Sequence, residues 1–431
     1  MDMKMLRVRL ARTLYAYIVK LKPYINRFIP FRVKELLKPN ILEMAYPADI
    51  IPINRDLYMN ATHPKGINLI GYSRAEMGIG ESCRIAARSI SATEVPFSII
   101  NYEYNNPARM QDHTWIHKEV NQAQFKVNIF HLNADQMIFA NAHLGNSFFT
   151  NHYNIGYWHW ELPDFPDEWK IGFNLVHEVW APSNFVADSI KVKSPVPVIT
   201  IPHSIFVDLG EVHFDRVHFN LPTNRFLFMS MYDVHSFQER KNPKAVIRAF
   251  QEAYSPEDES VGLVLKVNNA SSNPGEIKDL VAMIGTYTNI FIIKETLSRT
   301  EMNGLMNVID CFVSLHRSEG FGLGLAEAMF LGKAVIGTNW SSNTDFMNPY
   351  NSCVVNYKLV KVGRDYGPYK AYQDWADPDT SHASEYMSKL SNDSEYYKSI
   401  SRAGQETMLT EYSPQRIGQL IKDRLKEIQL Y

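Results

Sequence analysis

The 431-residue sequence holds three cysteines, Cys83, Cys311 and Cys353, widely spaced and in apolar or mixed contexts. So odd and sparse a set suggests neither a disulfide framework nor a zinc cluster, and points to a reducing compartment. Net charge is nearly absent: 44 Lys and Arg against 46 Asp and Glu leave −2, which argues against nucleic acid as the main partner. No apolar run is long enough to span a bilayer. Residues 1–22 are basic but hold no uninterrupted apolar core, so no signal peptide is expected. Repeats and low-complexity tracts are also missing. What remains, 45% hydrophobic and 21% charged, is the composition of a soluble globular protein too long for one ordinary domain.

The charge is unevenly spread. Residues 1–40 carry ten Lys and Arg against Asp2 and Glu35, a net +8 that leaves −10 for the rest. Leu6, Leu10, Leu14, Tyr17, Ile18 and Leu21 recur at helical spacing. A basic amphipathic helix of this kind can lie on an anionic membrane surface, or dock on its own protein.

After an arm and linker over 1–61, punctuated by Pro47 and Pro52, strands are expected at Gly66–Gly71, Phe97–Asn101, Val127–Leu132, Asn154–Trp158, Val179–Ala181 and Val198–Ile201. Helical patterns lie between several of them, which predicts a doubly wound α/β domain over 62–215. Strands resume at Arg225–Met229, Gly262–Val267 and Ile290–Ile293, with a helix over Pro243–Tyr254. A second Rossmann-like domain is expected over 222–405, with a hinge near Gly210–Pro222. Residues 406–431 contain an amphipathic helix bearing Ile417, Leu420, Ile421, Leu425 and Ile428.

The most informative segment is 309–337, IDCFVSLHRSEGFGLGLAEAMFLGKAVIG. An apolar run, Ile309 to Leu315, reads as a buried strand; a Gly-rich loop, Ser318 to Gly324, leads into a helix over Leu325–Leu331 and a strand over Ala334–Ile336. That order is one βαβ unit of a parallel sheet. Gly320, Gly322 and Gly324 let backbone approach a ligand, and the helix N-terminus is an anion site. Glu319 and Glu327 flank it with carboxylates that accept hydrogen bonds from vicinal diols. Anion plus diols points to a nucleotide sugar.

The Ser-Glu-Gly-Phe-Gly loop, with its two spaced glutamates in the second of two Rossmann-like domains, resembles the GT-B fold and specifically glycosyltransferase family 4. The resemblance is concentrated in 309–347 and weaker over 66–90, 128–205 and 226–255. It implies transfer of a hexose-type sugar from a nucleoside diphosphate donor, UDP or GDP, with retention at the anomeric carbon and without metal or cofactor. By the same resemblance Glu319 would hold the donor sugar's hydroxyls. Glu327 would hold the ribose, and the amides of Phe321, Gly322 and Leu323 would face sugar and diphosphate. Gln238-Glu239-Arg240-Lys241-Asn242-Pro243 resembles the segment whose cations neutralise the leaving diphosphate, so Arg240 and Lys241 are the candidate pair. The chain departs from many relatives in having Ser230-Met231-Tyr232-Asp233 where they place an arginine. Lys266, near a strand end, is a further candidate cation. Gly78-Ile79-Gly80-Glu81 resembles the family's N-terminal Gly-rich loop near the donor diphosphate; as a dinucleotide fingerprint it lacks the third glycine.

A catalytic base is not obvious, and the front-face mechanism proposed for this family does not require one. His131 or Asn133, at the end of a strand, could occupy the place of the family's N-terminal-domain histidine near the reacting carbon. His159-Trp160-Glu161 is the candidate acceptor segment, its aromatic faces suited to sugar C–H edges; packed core residues are the alternative. Asp345 either borders the site or caps a turn. Tyr366–Asp379 reads as an aromatic, acidic support segment.

The sequence therefore predicts a cytoplasmic transferase, free or peripheral on the inner face of the cell membrane, adding sugar to a saccharide or lipid-linked oligosaccharide in bacterial polysaccharide synthesis. A non-catalytic nucleotide-sugar-binding subunit, or an epimerase of the same fold, are the alternatives. A phosphorylase would need a pyridoxal-phosphate lysine, which has no evident place.

Overall fold

Two parallel sheets of six strands organise the chain. The structure, a computed structural model, describes residues 56–431 apart from Asn105, Pro107 and His235, together with Leu10, Thr13 and Tyr17. Apart from Leu10, Thr13 and Tyr17, the amphipathic arm expected over 1–40, and with it the membrane contact, lies outside the described residues.

The first sheet comprises β1 (Ile67–Gly71), β2 (Phe97–Asn101), β3 (Val127–His131), β4 (Tyr153–Tyr157), β5 (Glu178–Ala181) and β6 (Val198–Thr200), in the order β2-β1-β3-β4-β5-β6. Every residue of β1, β3, β4 and β5 is buried, as expected of parallel strands covered by helices on both faces. Their register is pinned by polar groups. Asn68 donates to Asn128 Oδ1 at 2.8 Å, Asn128 to Asn154 Oδ1 at 3.0 Å and Asn154 to the Phe149 carbonyl at 2.7 Å. A one-residue slip of β1 or β4 against β3 would strand these buried amides, a cost that adds to that of turning the apolar side chains over.

The second sheet comprises β7 (Phe226–Asp233), β8 (Val261–Asn268), β9 (Ile290–Ile293), β10 (Cys311–Ser314), β11 (Ala334–Thr338) and β12 (Cys353–Val355). Its order, β12-β11-β10-β7-β8-β9, reverses direction between β7 and β10. The first sheet reverses between β1 and β3. In open α/β sheets, ligands bind beyond the carboxyl ends of the strands at such reversals. The segments after β7 and β10 are those that carry Arg240–Lys241 and Glu319–Glu327.

Two features differ from the sequence expectations. The helix expected from Glu81 begins at Gly78 and runs to Ser91, so Gly78 and Gly80 form its first turn rather than a loop. A β-carbon on Gly80 would lie 2.2 Å from the Ala75 carbonyl oxygen, so glycine there allows a close backbone approach. The segment Tyr366–Asp379, expected to be an aromatic support, supplies the second strand of an antiparallel hairpin, β14 (Asp374–Pro378), which pairs with β13 (Tyr357–Lys361). The outward-facing β13 is mostly exposed and has no apolar run to betray it. The hairpin reaches the first half of the chain, where Tyr369 of its connecting loop and Trp375 of β14 join the apolar cluster of Trp158, Trp160 and Phe165.

The helix Pro414–Glu427 starts on a Ser413 cap and buries Ile417, Ile421 and Leu425 beside Ile67, Cys83 and Ile90 of the first half. A β-carbon on Gly418 would lie 2.2 Å from the Ser89 carbonyl oxygen, so the helix packs nearly backbone to backbone on Gly78–Ser91. Arg424 Nη2 reaches Glu178 Oε2 at 2.5 Å; that fully buried carboxylate also accepts from Trp180 Nε1 at 2.7 Å. Cys83, Cys311 and Cys353 are buried free thiols. Among the described residues no helix is long and apolar enough to cross a membrane.

Candidate active site

The segments after β7 and β10 are tied at the backbone. Arg317 N donates to the Arg240 carbonyl at 2.7 Å, and Asn242, in the left-handed region at φ 53°, donates its amide to the Leu315 carbonyl at 3.1 Å. This brings the candidate cations onto the candidate sugar ligand. Lys241 Nζ lies 2.5 Å from Glu319 Oε1, and Arg240 Nη1 lies 3.3 Å from Glu319 Oε2 and 2.9 Å from the Ser318 carbonyl. Arg240 and Glu319 are both buried. Burial alone would raise the Glu319 carboxyl, but Lys241 and Arg240 outweigh it and hold its pKa at about 2. Burial lowers the Lys241 ammonium, opposed by Glu319. Arg240 and the Glu319 carboxylate are therefore charged at neutral pH.

The loop then enters the helix Leu323–Phe330 through Gly322 at φ 97°, a conformation that favours glycine, and no side chain caps the helix. Its first amides are thus free for an anion. The Phe321 ring is 4% exposed and packs against His203 and Phe346, which leaves its backbone as the part that can meet a ligand. Glu327, one turn into the helix and 8% exposed, is engaged by the guanidinium of Arg299, with which it forms an ion pair.

From the first half of the chain, Glu161 reaches this group. Its carbonyl accepts from Ser318 Oγ, its Oε2 accepts from Tyr369 Oη at 3.0 Å, and its charge acts on Arg240 and Lys241. A β-carbon on Gly320 would lie 3.6 Å from Glu161 Cγ, so the donor loop rests on this residue. Tyr369 also sets its ring 5.8 Å from the Arg240 guanidinium. Gly78 faces open space, with no atom within 4 Å of a β-carbon placed there.

Other candidates sit elsewhere. His131 is 1% exposed, accepts or donates at Ser82 Oγ at 3.0 Å and stacks on Tyr157 at 4.3 Å, inside the first half. Burial takes it well below the usual histidine range, so it is a neutral core histidine. Asn133 uses its side-chain oxygen to receive the His159 backbone N–H at 2.9 Å, which positions the 158–161 segment. His159 pairs Nε2 to Nε2 with His203 at 3.1 Å, and burial lowers it to about 4. Trp160 is 1% exposed with its indole N–H on the Asp164 carbonyl, so its face is core rather than a sugar platform. Lys266 is fully buried and bonded to Asn268 at 2.5 Å, apart from the Glu319 cluster. Asp345 caps across the cleft, accepting from the first amide of the helix Asn184–Lys191 at 2.7 Å, next to a Ser183–Ser342 hydroxyl bond of 2.7 Å.

Sequence reasoning missed Arg299, His203 and Tyr369. Arg299 had a signal: Ser298-Arg299-Thr300-Glu301 is a capping box, realised here by reciprocal bonds, and it marks Arg299 as the first residue of a helix opening at the sheet's carboxyl end. Tyr369 and His203 had none, because the contacts that tie them to the site, Tyr369 to Glu161 and His203 to Phe321, cross between the two halves of the chain.

Residues 215–359 match the family model for glycosyl transferases group 1. No curated protein sequence matches the chain. The fold is similar to that of Anabaena HepE, crystallised with UDP and glucose, at a TM-score of 0.62 and 12% identity over 84% of this chain and 100% of that one. It is also similar to a glycosyltransferase from Rickettsia africae ESF-5, with a TM-score of 0.60 and 14% identity over 84% and 98% of the two chains. Sucrose-phosphate synthase from Thermosynechococcus elongatus gives 0.60 and 12% over 84% and 99%. At such identities the likeness is one of fold. The chain thus has the GT-B fold of two Rossmann-like domains, and its second half carries a glycosyl transferases group 1 domain.

Proposed function

We propose that the protein is a retaining glycosyltransferase that moves a hexose-type sugar from a UDP- or GDP-sugar to a saccharide or lipid-linked oligosaccharide acceptor of a bacterial polysaccharide. The observation that carries this reading is the convergence of Arg240 and Lys241 on Glu319 at the uncapped N-terminus of the helix that bears Glu327. UDP and glucose in the crystal structure of HepE, a protein of similar fold, support the donor class.

In this reading Glu319 accepts from sugar hydroxyls and Glu327 from the ribose diol. The helix amides, Arg240 and Lys241 take the diphosphate. Transfer then follows a front-face course. The acceptor oxygen bonds to C1 as the bond from C1 to the phosphate oxygen breaks on the same face, and the acceptor proton passes to the departing phosphate. Charge grows on the leaving oxygen in the transition state, where Lys241 and Arg240 stabilise it without a metal. Glu161, beside these cations on the opposite wall, is placed to receive an acceptor hydroxyl. The cross-cleft contacts at Asp345 and Ser342 hold the walls together and limit donor hydrolysis by water.

The test is to incubate the full chain with labelled UDP- and GDP-sugars and a membrane extract as acceptor. Nucleoside diphosphate release and the anomeric configuration of the product are then followed by NMR. The reading expects release that Lys241→Ala lowers by about 100-fold or more, and an α-linked product from an α-donor. It is overturned if no donor is bound or turned over and Glu327→Ala changes nothing. Donor binding without transfer would favour the non-catalytic subunit, and an inverted product would remove the retaining course.

A further inference from the structure

The carboxylate assigned to the ribose is already engaged. Arg299 opens the helix Arg299–Val308, its backbone fixed by the Ser298–Glu301 capping box. Its guanidinium pairs with Glu327 Oε1 and stands 4.0 Å from Glu81 Oε1, in the first turn of Gly78–Ser91 on the other wall. The two carboxylates are nearly covered, at 11% and 16% side-chain exposure, whereas Arg299 is 48% exposed. Its backbone is held, while nearly half of its side chain faces solvent. The neighbouring cation Arg84 is committed: it donates to the Ser73 and Ala75 carbonyls at 3.0 and 2.9 Å and to Glu81 at 2.8 Å.

The charge balance of the donor cleft adds to this. Arg240 and Lys241 face Glu319 and Glu161, so their charge is already matched before any diphosphate arrives. With Glu327 counted, the cleft needs another cation if it is to attract an anion. Arg299 is such a cation, and it sits at the ribose end, next to where the first phosphate must follow the ribose.

We propose that Arg299 is a donor-binding residue that waits on Glu327: the ribose diol takes its place on the carboxylate, and the guanidinium passes to the donor diphosphate, which its planar fork can grip with two hydrogen bonds. The inference rests on the donor reading above. The exchange keeps Glu327 from being left unpaired when the site is empty and turns ribose recognition into a signal that moves a positive charge onto the phosphates.

Calorimetric titration of UDP, GDP, uridine and guanosine into the full-length wild type, R299Q and R299K tests it. A phosphate ligand that leaves the ribose carboxylate predicts opposite changes. R299Q should lose about tenfold or more in affinity for the cognate diphosphate, while affinity for the matching nucleoside stays the same or rises. R299K, which keeps the charge but not the fork, should fall between, and it carries the test alone if R299Q does not fold. Parallel losses for nucleotide and nucleoside would make Arg299 a clasp between the walls and overturn the proposal. Diphosphate affinity that is unchanged or higher would make it a mere occupant of the ribose site, with the same consequence. If the wild type binds none of the four, the donor reading falls and this inference falls with it.

Discussion

Lys241 Nζ and Glu319 Oε1 lie 2.5 Å apart, joining the ends of the two strands, β7 and β10, between which the second sheet reverses. The pair therefore sits where a parallel sheet opens its crevice, and Arg240 completes it from beneath. Its two members should fail differently. Lys241→Ala leaves Glu319 with Arg240, so the fold should hold while transfer falls by about 100-fold or more, the scale of losing a donor to developing charge. Glu319→Gln leaves two cations without their carboxylate, and should cost about 3 kcal/mol or more of stability as well as activity. Thermal melts beside nucleotide-release rates separate the two; equal melting temperatures for both variants would contradict the pairing.

Tyr369 links the β13–β14 hairpin to Glu161 and lies over Arg240. Tyr369→Phe keeps the ring and removes the hydroxyl. The expected cost is about 1 kcal/mol in stability. With Glu161 freed from its partner, kcat/KM for acceptor should drop several-fold while UDP affinity changes less than about twofold. A loss confined to nucleotide affinity would place Tyr369 on the donor side instead.

The neutral His159–His203 pair makes stability sensitive to mild acid. Burial lowers His159 from 6.5 to about 4, so between those values the unfolded chain binds a proton that the folded one does not. Stability is then full above pH 6.5 and declines as pH falls towards 4, by about 3 kcal/mol from this residue. Glu319, lowered from 4.5 to about 2, adds its own loss only at still lower pH. Urea melts at intervals from pH 7.5 to 4 measure the slope, which His159→Gln should flatten. A wild-type slope that starts only below pH 4.5 would refute the assignment.

Gly418→Ala places a methyl 2.2 Å from the Ser89 carbonyl oxygen, a backbone atom that cannot turn away. The helix must lift from its seat, at about 1–3 kcal/mol. Chemical denaturation of Gly418→Ala against Gly78→Ala, where space is open, isolates the close approach; equal stabilities would mean that the last helix yields without cost.

The parts legible in the sequence were those written in local pattern. Apolar runs such as Leu263–Leu265 and Phe312–Val313 announce buried strands, and the glycines between Glu319 and Glu327 announce a loop that meets a ligand. The residues that complete the site were hidden because their meaning is tertiary. Arg299 meets Glu327 across 28 residues and Glu81 across the cleft, and Tyr369 meets Glu161 across 208. Composition misled at Trp160 and His131: both are residue types that suit a sugar site, and both are spent on core packing. Gly78 and Gly80 looked like a ligand loop, yet one opens the cleft wall and the other lets two backbone segments touch.

The most direct test of the account is a calorimetric titration of UDP- and GDP-sugars into the wild type and Glu327→Ala. One donor class should bind the wild type, and Glu327→Ala should weaken it by about tenfold or more through loss of the ribose contact. Failure of every nucleotide sugar to bind the wild type, or binding that Glu327→Ala leaves unchanged, would contradict it.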